Sequence, residues 1–205
     1  MNYYFDLDNT IYETAKLTDL MFCTIAKTVS ENSSYDYEDL LKYVKENFNS
    51  TVDNIFSFSA KVAGRYDVNP QITLSAVNSV IDNGENIVFE DARSFLEKLK
   101  EKNNKVFLLT YTHKGNENYQ MKKIMGANII DYFDGIIITT EYKFNLDLKY
   151  EEGIFFDDDP RDLNGLFEKN AYKVIRIRKE NNKRSKIDME NPLIKEYSSF
   201  DDIKI

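Results

Sequence analysis

A chain of 205 residues that is 42% apolar and 30% charged carries enough apolar side chains for a folded core, which places it among globular rather than disordered proteins. A formal net charge of −8 argues against generic attraction to nucleic acid or an anionic membrane, and no apolar segment approaches the length of a membrane span. The one cysteine, Cys23, excludes an internal disulfide and the one histidine, His113, excludes a multi-histidine zinc site; with no leader pattern, the expected location is a reducing cytoplasm.

The first predicted element is a strand over residues 3–7. Side chains alternate along a strand, so Asp6 and Asp8 would share one side at its end while Leu7 turns the other way. Two carboxylates that close repel, and the pair calls for a cation, a proton or both. Against this stands plain turn chemistry, since Asp and Asn favour such junctions. Residues 13–86 then read as helical throughout. Leu17, Leu20, Met21 and Ile25 form one apolar stripe, Leu40, Leu41, Val44 and Phe48 a second, and Ile72, Leu74, Val77, Val80 and Ile81 a third. Breaks fall at 32–34, 69–70 and 83–84. Cys23 lies in the apolar run Leu20-Met21-Phe22-Cys23 and reads as core filling.

Beyond this block strands and helices alternate. A helix is predicted over 92–102, a strand over 105–110, a helix over 118–125 with Gly126 as its stop, and a strand over 135–140. A strand over 153–157, a helix over 160–167 and a strand over 173–177 follow. Apolar strands alternating with helices predict an α/β fold, a Rossmann-like, mostly parallel sheet with helices on both faces. Residues 1–12 and 87–205 would form it, and residues 13–86 a small helical cap domain. Residues 141–152 are too few for a full crossover helix.

The strand over 153–157 runs into Asp157-Asp158-Asp159-Pro160-Arg161-Asp162. Proline suits the first position of a helix, so Asp159 becomes its N-cap, and Asp162 falls in the first turn near exposed N–H groups. Asp157 and Asp158 have no such structural duty and are the metal candidates. Ligands of oxygen alone favour Mg²⁺ over zinc or copper. In an open parallel sheet functional groups gather beyond the carboxyl ends of the strands. Asp6 and Asp8, Thr110, Lys143, and Asp157 with Asp158 would all converge there.

These residues resemble the motifs of the haloacid dehalogenase superfamily of phosphotransferases. Phe5-Asp6-Leu7-Asp8-Asn9-Thr10 resembles the first motif, Leu108-Leu109-Thr110 the second, and Phe155-Phe156-Asp157-Asp158 the acidic fourth. The third motif is a lone lysine, either Lys143 or Lys149, with Lys143 preferred because it follows the third strand directly. Asn128-Ile129-Ile130-Asp131-Tyr132-Phe133-Asp134-Gly135 and the helical insertion after the first motif also look like this family. The resemblance implies a phosphatase in which Asp6 attacks phosphorus and Asp8 protonates the leaving alkoxide. Thr110 and Tyr111 with Lys143 would bind the phosphoryl group. Mg²⁺ would be held by Asp6, Asp8 through its backbone carbonyl, and Asp157, with Asp158 directly or through water. The expected substrate is a small phosphorylated metabolite, a sugar phosphate or nucleotide. The alternatives are a catalytically weak ligand-binding member of the family and a nucleic-acid end phosphatase. Only the basic run at 178–186 motivates the last, and such runs are usually solvated loops. His113 is expected either to touch a substrate or to cap the helix that follows it, with capping preferred.

Overall fold

A computed structural model of the chain describes residues 1–49, 54–180 and 182–204. In chain order it runs β1 (Asn2–Phe5), α1 (Thr14–Glu31), α2 (Tyr37–Asn47), α3 (Ile55–Arg65), α4 (Pro70–Asp82), α5 (Glu90–Glu101), β2 (Lys105–Tyr111), α6 (Glu117–Gly126), β3 (Gly135–Thr139), β4 (Gly153–Asp157), α7 (Pro160–Glu168), β5 (Lys173–Ile177) and β6 (Lys195–Tyr197). Two compact units result, Met1–Ala15 with Glu85–Ile205, and Lys16–Gly84.

The larger unit holds a six-stranded sheet in the order β3-β2-β1-β4-β5-β6, each pairing parallel. Two aromatic ladders follow from its register. Tyr4 sits opposite Phe107 and Phe155, and its ring stacks on theirs at 5.1 and 4.7 Å. One residue along, on the other face, Phe5 stacks on Phe156 at 4.5 Å, beside Phe95 and Phe200. Alternation along β1 thus feeds a core on both sides of the sheet, as a parallel sheet covered on two faces requires.

β1 stops two residues earlier than the sequence pattern suggests. The Leu7 carbonyl accepts the N–H groups of Ile11 and Tyr12 at 3.0 and 2.9 Å, and Asn9 takes the left-handed conformation at φ 61°. Leu7 is therefore the buried hub of a turn rather than a strand residue. The sixth strand was not foreseen: Lys-Glu-Tyr at a sheet edge has no apolar run to announce it.

The link from β3 to β4 passes β2 and β1 with no α-helix, only 3-10 turns at Lys143–Asn145 and Tyr150–Glu152. Phe144, Leu146 and Leu148 pack on the apolar cluster around Tyr150, Phe155 and Leu163. Gly165 in α7 makes room for this packing, because a Cβ there would collide with the ring of Phe144.

In the helical unit, α2, α3 and α4 are capped by Asp36, Asn54 and Asn69, and Pro70 opens α4. Leu17, Met21, Ile25, Leu40, Val44, Val77 and Ile81 are buried as expected. Leu20 and Ile72 instead face outward, and Cys23 is half-buried rather than core filling. The rings of Phe22 and Phe58 meet Phe48 edge-on, each at 5.2 Å.

Gly165→Ala should destabilise the protein by about 1–3 kcal/mol in urea unfolding, through overpacking against Phe144. Gly64→Ala in α3, where a Cβ meets nothing within 4 Å, should be neutral or slightly stabilising.

Candidate active site

The site is built where β1, β2 and β4 end. The Asp6 N–H donates to the Phe156 carbonyl at 2.9 Å, which fixes the first residue past β1 against β4. Asp157 ends β4, and its Oδ1 accepts the Asp159 N–H at 2.9 Å. Lys143 reaches both acids from the 3-10 turn, with Nζ 2.6 Å from Asp6 Oδ1 and 2.5 Å from Asp157 Oδ2. Only 3% of its side chain is exposed. Two further bonds pin the turn: the Lys143 N–H donates to Asp162 Oδ1 at 3.1 Å, and the Tyr150 hydroxyl donates to the Lys143 carbonyl at 3.0 Å. Asp162 thus serves the lysine turn. Lys149 lies apart, its side chain 75% exposed beside Glu152. The structure brings Lys143, not Lys149, to the acids.

Asp6, Asp157 and Asp158 are buried and each offers an oxygen within 4.8 Å of the others. Asp8 does not add its carboxylate to this group. Thr14 Oγ1 donates to its Oδ1 at 2.6 Å, Lys123 Nζ donates to the same oxygen, and Gln120 Nε2 donates to Oδ2 at 2.8 Å. Gln120 Nε2 also donates to Thr110 Oγ1 at 2.8 Å, so the second acid and the strand-end hydroxyl share one partner. Tyr111 is half-buried, with its hydroxyl 3.3 Å from His113 Nδ1. The His113 ring therefore faces Tyr111, while its carbonyl accepts the Asn116 N–H at 3.0 Å. Asn116 holds the N-cap position of α6, without a side-chain bond.

Three cations of the basic run, Arg178, Lys179 and Arg184, pair with acids, while Lys186 stands exposed as a solvated loop would have it. Arg184 Nη1 and Nη2 lie 3.1 and 3.2 Å from Asp158 and Asp159, and Asn182 Nδ2 donates to Asp158. Lys179 pairs with Asp91 at 2.5 Å and Arg178 with Asp188 at 3.1 Å. Arg176, fully buried in β5, donates to the Asp158 carbonyl at 3.4 Å, the Arg184 carbonyl at 2.7 Å and Glu196 at 2.7 Å. Asp159 caps α7 by accepting the Arg161 N–H at 2.9 Å.

The charges do not balance evenly. Burial pushes the Asp6 carboxyl well above its ordinary pKa; Lys143 pulls it down, while Asp157, Asp158 and Asp8 push it further up. Burial and then Asp157 raise Asp158 to about 6, against Arg184 and Asn182. Burial and Asp157 likewise raise Asp162 to about 6, against Lys143. Burial works against the Lys143 ammonium too, but Asp157 and Asp6 outweigh it and its pKa rises. Asp8 is the exception. Burial opposes its charge, yet Lys123 and Gln120 hold its pKa below the ordinary carboxylate value. The cluster around Asp6 is thus over-supplied with negative charge, and its donors are oxygen alone. A hard divalent cation fits both properties.

Lys123, Gln120, Asn182, Arg184 and Arg176 were not foreseen. Gln120 and Lys123 stand three apart and so share a helix face, a spacing visible in the sequence. What that face meets was not.

A family model described as haloacid dehalogenase-like hydrolase matches residues 3–166. Solved structures similar in fold include a HAD phosphatase from Thermococcus onnurineus, with TM-score 0.61 and 15% identity over 98% of this chain and 94% of that one. YfnB from Bacillus subtilis, bound to magnesium, has TM-score 0.55 and 10% identity over 98% and 95%. A variant of CbbY from Rhodobacter sphaeroides, in complex with xylulose 1,5-bisphosphate, has TM-score 0.54 and 14% identity over 97% and 94%. No curated protein matches the chain in sequence.

A carboxyl whose pKa the fold raises adds stability below its unfolded pKa and loses it as pH climbs through the folded value. For Asp158 and Asp162 that loss runs from the ordinary value of 3.8 up to about pH 6, so its upper part lies above pH 5. The lowered Asp8, Asp91 and Asp159 act the other way, but only at more acidic pH. Protein in EDTA should therefore melt a few degrees lower at about pH 8 than at about pH 5. A melting temperature that is flat or rises over this interval would contradict the charge imbalance.

Proposed function

The chain belongs to the haloacid dehalogenase-like hydrolase family, and from that premise we propose that it hydrolyses a small phosphate monoester, with Asp6 as nucleophile and Mg²⁺ as cofactor. The observation that carries this reading is the Lys143 ammonium held between Asp6 and Asp157, with a second acid, Asp8, two residues from the nucleophile. Asp8 favours ester hydrolysis over dehalogenation, since a departing alkoxide needs a proton and a halide does not.

In the first step an Asp6 oxygen bonds to phosphorus as the bond to the ester oxygen breaks, and Asp8 gives that oxygen a proton. Water then attacks phosphorus, Asp8 takes its proton, and phosphate leaves Asp6 free. The fold holds Asp8 as a carboxylate, the form that the second step requires. The proton for the first step arrives with the substrate, as the monoanion of a phosphate ester carries one. Thr110 donates to the phosphoryl oxygens and Lys143 balances their charge. Asp6, Asp157 and Asp158, with the Asp8 carbonyl, would hold Mg²⁺. When bound, the ion would neutralise charge as a carboxylate nears the negatively charged phosphoryl group. The helical unit would act as the cap that excludes water and selects the leaving group.

The CbbY structure, described with a sugar bisphosphate, supports a phosphorylated metabolite, either a sugar phosphate or a nucleotide, as substrate. The pairing of Arg178, Lys179 and Arg184 with carboxylates counts against a nucleic-acid substrate. Among the described residues no helix is long and apolar enough to cross a membrane.

With p-nitrophenyl phosphate and Mg²⁺, turnover should fall at least about 100-fold in EDTA, in Asp6→Asn and in Lys143→Met. Lys149→Met should stay within about twofold of wild type, as a substitution at an exposed surface position. Equal turnover by wild type, wild type in EDTA and Asp6→Asn would remove the proposal.

A further inference from the structure

Lys123 is a buried lysine outside the acid cluster that Lys143 serves. Its side chain is 4% exposed, and the rings of Tyr12 and Tyr119 lie 5.4 and 5.6 Å from its Nζ. Its acceptors are Asp8 Oδ1 and, at 3.1 Å, Gln120 Oε1. Those contacts have a direction. An ammonium only donates and a carboxylate only accepts, whereas an amide can be turned either way. Between Lys123 and Asp8, one orientation of Gln120 satisfies both: Oε1 toward the ammonium, Nε2 toward Asp8 Oδ2. The other N–H of that amide then points at Thr110 Oγ1, which must accept it. A hydroxyl has a single proton. With Thr110 accepting from Gln120, that proton is left to donate outward from the strand end.

We propose that Lys123 and Gln120 are positioning residues that set the direction of the hydrogen bonds at Asp8 and Thr110. Lys123 orients the amide; the amide aims the Thr110 proton at the phosphoryl group and holds the Asp8 carboxylate in the rotamer that serves the leaving oxygen. Without the ammonium, Gln120 is free to turn its Oε1 toward Thr110 and capture that proton, and Asp8 loses two of its three donors in their present places. The inference rests on the phosphatase reading of the site.

Phenyl phosphate and p-nitrophenyl phosphate separate this role from simple support of the fold. They are similar in shape, but p-nitrophenolate departs readily without a proton and phenolate does not. Their kcat/KM values report transfer to Asp6, ahead of the water step. Lys123→Met and Gln120→Met should each lower kcat/KM for phenyl phosphate at least about 10-fold more than for p-nitrophenyl phosphate, as loss of an aimed proton donor requires. The Gln120 variant keeps the test open if Lys123→Met fails to fold. Equal losses on both esters, or an unchanged ratio in a variant that melts like wild type, would overturn the proposal. A wild-type protein inactive on both esters would instead remove the phosphatase reading on which it rests.

Discussion

A buried ammonium between two buried carboxylates is the constraint around which this molecule is arranged. Lys143 Nζ lies within 2.6 Å of both Asp6 and Asp157, which stand at the ends of neighbouring strands. Removing one partner from such a group typically costs about 3–5 kcal/mol, because the remaining charge is left without compensation in a low dielectric. The β3–β4 link has to deliver the lysine with no helix to stiffen it. Instead it is tied by the Asp162 carboxylate, the Tyr150 hydroxyl and the seat that Gly165 makes for Phe144. What replaces a crossover helix is a set of anchors placed around one residue.

Charge is managed in separate compartments. Lys143 serves Asp6 and Asp157, Arg184 serves Asp158 and Asp159, and Lys123 serves Asp8. Arg176 ties the backbone of the second compartment together from inside the sheet. The separation sends the two acids of the first motif in opposite directions: Asp6 is destabilised as an anion, and Asp8 is stabilised as one. Residues two positions apart in a strand-end turn thus acquire different chemistry from what the rest of the chain brings to them.

The strands β2 to β5, the Asp159 cap and the convergence of Asp6 with Asp157 and Asp158 were legible because each has a local cause: apolar runs, Asp159 before Pro160, carboxylates at strand ends. Elements lacking such a cause were not. β6 is three polar-flanked residues held by its neighbour. Leu20 and Ile72 fit a helical stripe but face outward, since periodicity gives a face only to within a residue or so. The basic run reads as solvated because a charge carries no record of its partner. Arg184 and Asp158 meet across 26 positions of sequence. Gln120 and Lys123 look like ordinary helix-surface residues until the sheet brings Asp8 to them, 112 and 115 positions away.

The central place of β1 has a consequence for how the chain is made. It leaves the ribosome well before its partners, which begin at residues 105 and 153. Tyr3, Tyr4 and Phe5 stay without these partner strands while the whole helical unit is synthesised. Contacts of such long separation form slowly, and an unpaired aromatic segment is a site for chaperone capture or aggregation in the interval. The inserted helices therefore impose a delay during birth, whatever they do in the finished protein.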